Sequence, residues 1–293
     1  MTAAPRGTAE TEDAALAAAL AGHRVLLAFG LLGEVVAALR PIGLDYMGEQ
    51  ADWLRGGLGL PAVSVVRLPT AAAVADNAVV LREALLSDPR PAVLVGHSKG
   101  GLDALAALLD PEAAARCRGF LALQSPFFGS PVADAVCGVR PVQRAADRAL
   151  RLLRLGSGQG VRDLTTAART AWMREHAAEV AALAGRLPLL CAATVVDAAA
   201  RGPDRLYLPL ARWMERQGAG PSDGLVPLAS ALLPGVPSVV LRGGHRALVG
   251  RAPGRDPVAI LRRLLRQLLA PAEAATATPR PPPPSPAPHP PAR

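Results

Sequence analysis

Gly96-His97-Ser98-Lys99-Gly100 follows the apolar run Val93-Leu94-Val95 and precedes a helical pattern over Leu102 to Leu109. A serine hydroxyl is a weak nucleophile unless it is held on a sharp strand-to-helix turn, within reach of a base. Glycines two residues to either side let the chain fold back tightly enough to present it. The bare pattern also arises by chance as a glycine-rich connection with an incidental serine, so the reading depends on finding the partners that such a nucleophile needs. They are a histidine to take the proton, an acid to orient that histidine, and amides for the developing oxyanion.

Only five histidines are available. His97 adjoins the serine and leaves the turn in another direction. His289 lies in a proline tail, His23 precedes the first strand pattern and His176 falls among helical patterns. His245 remains, in Arg242-Gly243-Gly244-His245, directly after an apolar run, where a parallel α/β sheet places functional groups. For the acid, Asp223 in Ser222-Asp223-Gly224-Leu225 gives the chain order Ser, Asp, His. Asp197 is the rival and has an alternative use in capping a helix or pairing with Arg201. The oxyanion amides are expected at Lys99, next after the serine, and at Leu31 in Phe29-Gly30-Leu31-Leu32-Gly33. The glycines of that loop do not have the spacing of a P-loop or a dinucleotide fingerprint. Lys99 is the single lysine among 32 basic residues. Its amide is the useful part, and its charge is expected near the mouth of the site.

These residues need a scaffold, and the pattern supplies one. Strands are predicted at Arg24–Phe29, Val63–Leu68, Pro91–Val95, Gly119–Leu123, Leu187–Val196 and Pro237–Leu241. Helices are predicted at Tyr46–Leu54, Ala72–Leu86, Asp204–Arg216 and Asp256–Leu269. Apolar strands alternating with helices define an α/β fold with a mostly parallel sheet of about six strands, covered on both faces. We divide the chain into an N-terminal extension (1–22), one catalytic domain (23–270) and a tail (271–293). About sixty residues between the fourth and fifth strands exceed an ordinary connection, and a helical cap is expected over about 136–186. There Val142, Ala146, Leu150 and Leu153 form an apolar face, opposite Arg140, Arg144, Arg148 and Arg151. That basic face is a solvated one or the surface of a lid meeting lipid, with Gly156, Gly158 and Gly160 as its hinge.

Composition narrows the function. The net charge of +8 comes from dispersed arginines and only 3% of residues are aromatic, which disfavours a nucleic-acid partner. Cys117, Cys137 and Cys191 are odd in number and widely spaced, as free thiols in a reducing compartment would be. Glu10, Glu12 and Asp13 ahead of the alanine run argue against a secretory signal. The stretch Val25 to Leu39, interrupted by Glu34, is too short to span a bilayer, so a cytoplasmic protein is expected. Ten prolines in residues 271–293 predict a disordered or polyproline-like tail.

Four stretches carry a family resemblance: Ala28-Phe29-Gly30-Leu31-Leu32-Gly33, Gly96 to Gly101, Ser125-Pro126-Phe127-Phe128-Gly129-Ser130-Pro131-Val132-Ala133-Asp134, and Asp223-Gly224-Leu225-Val226 with His245. Together the chain resembles the α/β-hydrolase superfamily and, within it, bacterial triacylglycerol lipases and esterases. The resemblance implies the α/β-hydrolase fold, with nucleophile Ser98, acid Asp223, base His245 and oxyanion amides of Leu31 and Lys99. It departs from the lipases at Phe29, where they carry a histidine, and at Ala247, where they carry a calcium-binding aspartate. No metal and no cofactor are therefore expected. The expected activity is hydrolysis of a small-molecule acyl ester through an acyl-enzyme intermediate, with possible contact to lipid through the cap. The alternatives are a thioesterase or acyltransferase of the same fold, or a non-catalytic binding protein.

Overall fold

The computed structural model describes residues 6–30, 47–69, 71–138 and 159–270. Six strands form one sheet: β1 (Arg24–Ala28), β2 (Val63–Val66), β3 (Ala92–His97), β4 (Cys117–Leu123), β5 (Leu189–Val195) and β6 (Ser238–Arg242). Their spatial order is β2-β1-β3-β4-β5-β6, and every neighbouring pair is parallel. This is the expected α/β architecture. Predicted and observed strand ends differ by no more than about two residues, the ordinary uncertainty of an element boundary.

The four inner strands read as nearly unbroken apolar runs because each is buried on both faces. In β3, Leu94 packs among helices Val74–Leu86 and Lys99–Leu108, whereas Val93 and Val95 face the opposite cluster with helix Pro257–Leu269. The same alternation sends Leu26 and Phe120 to one layer, Leu27 and Leu121 to the other. A strand's period of two thus builds two cores from one sheet. The edge strand β6 differs. Ser238, Val240 and Arg242 are exposed, and Val239 and Leu241 are half-buried.

Two segments are more integral than the sequence implied. The N-terminal extension carries a helix, Arg6–Ala19, and Leu16 within it and Leu20 just after it are buried in the core shared with helix Pro257–Leu269. Asp13 is bonded there to Arg262 and Trp53. Within the segment expected to form a cap, helices Thr166–Glu175 and Ala177–Arg186 place Met173, Val180 and Leu183 in the core beside Phe120 and Leu189. These helices cover a face of the sheet on the way into β5. The arginine face at Arg140 to Arg151, together with Gly156, Gly158 and the proline tail, lies outside the described residues.

Arg24 illustrates how a charge is accommodated at the sheet's lower end. It is buried, and its guanidinium donates to the carbonyls of Ala84 (2.8 Å), Leu85 (2.6 Å), Asp88 (3.1 Å) and Arg90 (3.1 Å). Ala84 and Leu85 end helix Val74–Leu86, where carbonyls lack intrahelical donors, and Asp88 and Arg90 lie in the turn beyond it. Arg24→Met is expected to lower stability by about 2–3 kcal/mol, read as a shifted urea midpoint at unchanged m-value. A change below about 0.5 kcal/mol would mean that water already serves those carbonyls.

Candidate active site

Ser98 stands between β3 and helix Lys99–Leu108 with φ 55° and ψ −127°. Such a conformation costs a residue with a Cβ about 1–3 kcal/mol and persists only where its surroundings enforce it. Here the enforcement is close packing. A Cβ on Gly100 would lie 2.5 Å from the carbonyl oxygens of both Ala28 and Phe29, and one on Gly101 would lie 1.9 Å from Ser125 Oγ. The glycines therefore let the helix approach the end of β1, while Ser98 N donates to Leu123 O (2.8 Å) across the top of β4. The pattern Gly-x-Ser-x-Gly is thus a close-approach requirement as well as a turn.

The structure brings Ser98, His245 and Asp223 together. Ser98 Oγ lies 2.8 Å from His245 Nε2, and His245 Nδ1 lies 2.8 Å from Asp223 Oδ2. All three residues are buried. His245 follows β6, whose end is fixed to β5 by Gly243 N donating to Val195 O (3.0 Å). Asp223 sits in a tight turn whose own amides hold it: Leu225 N (2.9 Å) and Val226 N (2.7 Å) both donate to Oδ1. Oδ2 is left for the histidine. Asp204 and Arg255, paired at 2.6 Å, flank the loop carrying His245, and Arg255 also donates to Gly250 O (3.2 Å). Tyr207 packs on Gly224 and Gly244, one on each side of the Asp223–His245 pair.

A second layer that the sequence did not reveal supports this row. Gln124, with φ 50°, is fully buried just beyond β4. Its amide nitrogen reaches Asp223 Oδ2 (3.2 Å), Gly244 O (3.0 Å) and Thr194 Oγ1, and its amide oxygen accepts from His97 Nε2 (3.2 Å). His97 Nε2 also donates to His245 O (3.0 Å). Burial, followed by the proximity of His245, pushes His97 down to about 3, so it serves as a neutral donor. A polar residue ending an apolar strand was the sole local signal for Gln124.

Lys99 corrects an expectation. Its ammonium does not face the mouth of the site; it is fully buried and bonded to both oxygens of Asp103, at 2.8 and 3.1 Å. The helical i,i+4 spacing makes that pair local. Asn77 donates to the same carboxylate (2.9 Å), and burial still pushes Asp103 up to about 6. The Lys99 amide occupies the first helical position, where an N–H has no intrahelical acceptor. Gly160 is no free hinge, because it lies against Lys99 Cε and Ala72 O.

The remaining sequence candidates fall elsewhere. Leu31 lies outside the described residues; Phe29 beside it abuts the elbow through Gly100. Asp197, the rival acid, is partly exposed, accepts from Ala199 N (2.9 Å) and pairs with Arg242 rather than Arg201. His176 stacks on Trp172, and His23 lines a cavity of about 800 Å³ at the opposite end of the sheet, remote from Ser98. Ala247 is buried. Among the described residues no group of three or more His, Cys, Asp or Glu side chains is arranged to hold a metal ion. None of the described helices is long and apolar enough to cross a membrane.

No protein-family model matches the chain, and no curated protein matches it in sequence. Solved structures do. The chain superposes on the metagenomic carboxyl esterase MGS0156 with a TM-score of 0.61 at 23% identity, covering 85% of this chain and 76% of that one. Mature Bacillus licheniformis lipase BlEst2 gives 0.62 at 18% identity, covering 85% and 92%. Staphylococcus hyicus lipase gives 0.54 at 12%, covering 88% and 97%. Likeness at this level of identity establishes the fold, and the fold is that of the α/β hydrolases.

Two outcomes test this geometry. Gly100→Ala drives a methyl against two backbone carbonyls that cannot rotate away, and is expected to cost about 3 kcal/mol, measured by chemical unfolding. His97 tests the second layer through pH. Unfolded, it takes a proton near 6.5; folded, only near 3. The unfolded state therefore binds the extra proton between those values. This contribution to stability is present above about 6.5 and is lost as pH falls toward about 3, by at most about 1.4 kcal/mol per unit. Asp103, raised to about 6, acts in the opposite sense over part of that range. The comparison that isolates His97 is the stability-versus-pH slope of wild type minus that of His97→Gln. Equal slopes would show that His97 is protonated in the folded protein.

Proposed function

We propose that the protein is a serine hydrolase that cleaves carboxylic acyl esters through an acyl-enzyme intermediate. The observation that carries this reading is the row Ser98 Oγ, His245 Nε2 and Nδ1, Asp223 Oδ2, with both links at 2.8 Å, on a backbone that holds the serine in a strained turn. The esterases and lipases that share its fold support the substrate class.

In this mechanism His245 Nε2 accepts the Ser98 proton as Oγ attacks the ester carbonyl. The carbonyl oxygen becomes an oxyanion, which the Lys99 amide and that of Leu31 receive. Asp223 keeps the imidazole in the Nδ1–H tautomer and stabilises it once it is charged. His245 then returns the proton to the departing alcohol oxygen, leaving an ester between the acyl group and Ser98. Water, deprotonated by His245, attacks that ester; Ser98 recovers its proton and the carboxylic acid leaves. No step requires a metal or cofactor. We place the protein in the cytoplasm, because three widely spaced cysteines, Cys117, Cys137 and Cys191, suit a reducing compartment better than a disulfide framework. Contact with lipid through Arg140 to Arg151 belongs to the same proposal.

Ser98→Ala is expected to lower kcat on a soluble short-chain p-nitrophenyl ester by on the order of 10⁶-fold, and to abolish labelling by a fluorophosphonate probe. Labelling that survives in the Ser98→Ala protein would place the reactive nucleophile elsewhere, and folded wild type that takes up no probe at Ser98 would leave a non-catalytic protein of the same fold.

A further inference from the structure

Gln124 is more elaborately bonded than a core residue needs to be. It leaves β4 with a left-handed backbone, uncommon for a residue that has a side chain. That reversal delivers its amide among groups from four elements: His97 at the end of β3, Thr194 in β5, Asp223 in the acid's turn and Gly244 beside the base. The partners also fix which way the amide points. Flipped, its oxygen would face the Asp223 carboxylate and its N–H would face the N–H of His97. The carbonyls on both sides of the base are held by this layer. Gly244 O receives Gln124 Nε2 (3.0 Å) and Thr194 Oγ1 (3.3 Å), and His245 O receives His97 Nε2 (3.0 Å).

We propose that Gln124 is a positioning residue for hydrolysis: its amide ties Asp223 Oδ2 to the loop of His245 and moderates how strongly the acid attracts the base's proton. The inference rests on the serine-hydrolase reading above. Its physical basis is that Oδ2 is the oxygen His245 Nδ1–H uses. A second donor on that oxygen withdraws part of its charge, and hydrogen bonds to a carboxylate favour its ionised, less basic state. With Gln124 in place, the acid orients the imidazole without overbinding the imidazolium. Without it, two things change together. The acid and base lose their shared reference point, and the base retains its proton to higher pH.

The other charged or titratable groups around the pair are His97, Arg246 next to the base, Tyr207 on Gly244, and the Asp204–Arg255 pair beside Gly243. Burial displaces His97 downward and Tyr207 upward, so neither changes charge where a serine hydrolase works. Asp204 and Arg255 neutralise one another at 2.6 Å.

The test is the pH dependence of kcat and KM for the full chain on a soluble p-nitrophenyl ester, comparing wild type, Gln124→Met and Gln124→Glu. Methionine keeps the length and removes the donor. Glutamate keeps the shape and, when ionised, sets a second negative charge beside Asp223. Gln124→Met is expected to lower kcat by on the order of ten-fold with KM within about two-fold. Its acid limb is expected to move up by about half a pH unit, and that of Gln124→Glu further. Thermal melts establish folding, and Gln124→Glu alone carries the test where Gln124→Met does not fold. A residue that merely fills space would change the melting temperature and leave the limb in place. Limbs coincident with wild type, in folded variants of an enzyme whose wild type is labelled at Ser98, overturn the positioning role. Absence of labelling in wild type overturns instead the hydrolase reading beneath it.

Discussion

The contact between Gly100 and the carbonyls of Ala28 and Phe29 sets the height at which everything else in the site must meet. With no side chain in the way, helix Lys99–Leu108 sits directly on the end of β1, and the chain before it has no room for an ordinary turn. Ser98 absorbs the mismatch as a strained φ and ψ. Its hydroxyl is thereby raised above the strand ends toward His245, and the amide after it begins a helix. Close packing of backbone on backbone thus presents the Ser98 hydroxyl to His245, and the two core layers of the sheet hold that packing in place.

Around this contact the protein uses polar groups in two ways. Near His245 they hold geometry: Asp223 has both oxygens occupied, and Gln124, Thr194 and His97 hold the carbonyls of the loop. Behind the elbow they satisfy charge. Lys99 and Asp103 are both removed from water, which is costly unless they meet each other, and Asn77 completes the carboxylate's shell. Asp163 accepts from Val74 N (2.7 Å) and Gln159 Nε2 (2.8 Å), and Gly160 lies on the lysine stem. The segment that returns from the insertion is therefore anchored behind the nucleophile, at the elbow's rear.

What the sequence made legible follows from range. Strand and helix patterns are written in neighbours one to four residues apart, so all six strands and the α/β class could be read directly. The elbow is a local steric pattern and was equally visible. His245 was singled out by elimination, which the scarcity of histidine made effective, and Asp223 by the chain order Ser, Asp, His. Gln124 and Lys99 were different. One acts through partners 27, 70, 99 and 120 positions away, and the other has a charge whose burial no local pattern announces. The N-terminal helix was not legible for the same reason, since its apolar residues have meaning only against helix Pro257–Leu269.

β6 carries a further consequence. Among the described residues it is an edge strand with one neighbour, its outer residues exposed and its inner ones only half-buried, yet His245 follows three residues after its end. Sheet edges open at lower free energy than centres. Fraying of β6 from β5 would withdraw His245 while Ser98, on a central strand between two buried layers, stayed where it was. On the hydrolase reading proposed above, turnover should therefore fade on warming while the bulk of the molecule is still folded, and it should return on cooling without any need to rebuild the core.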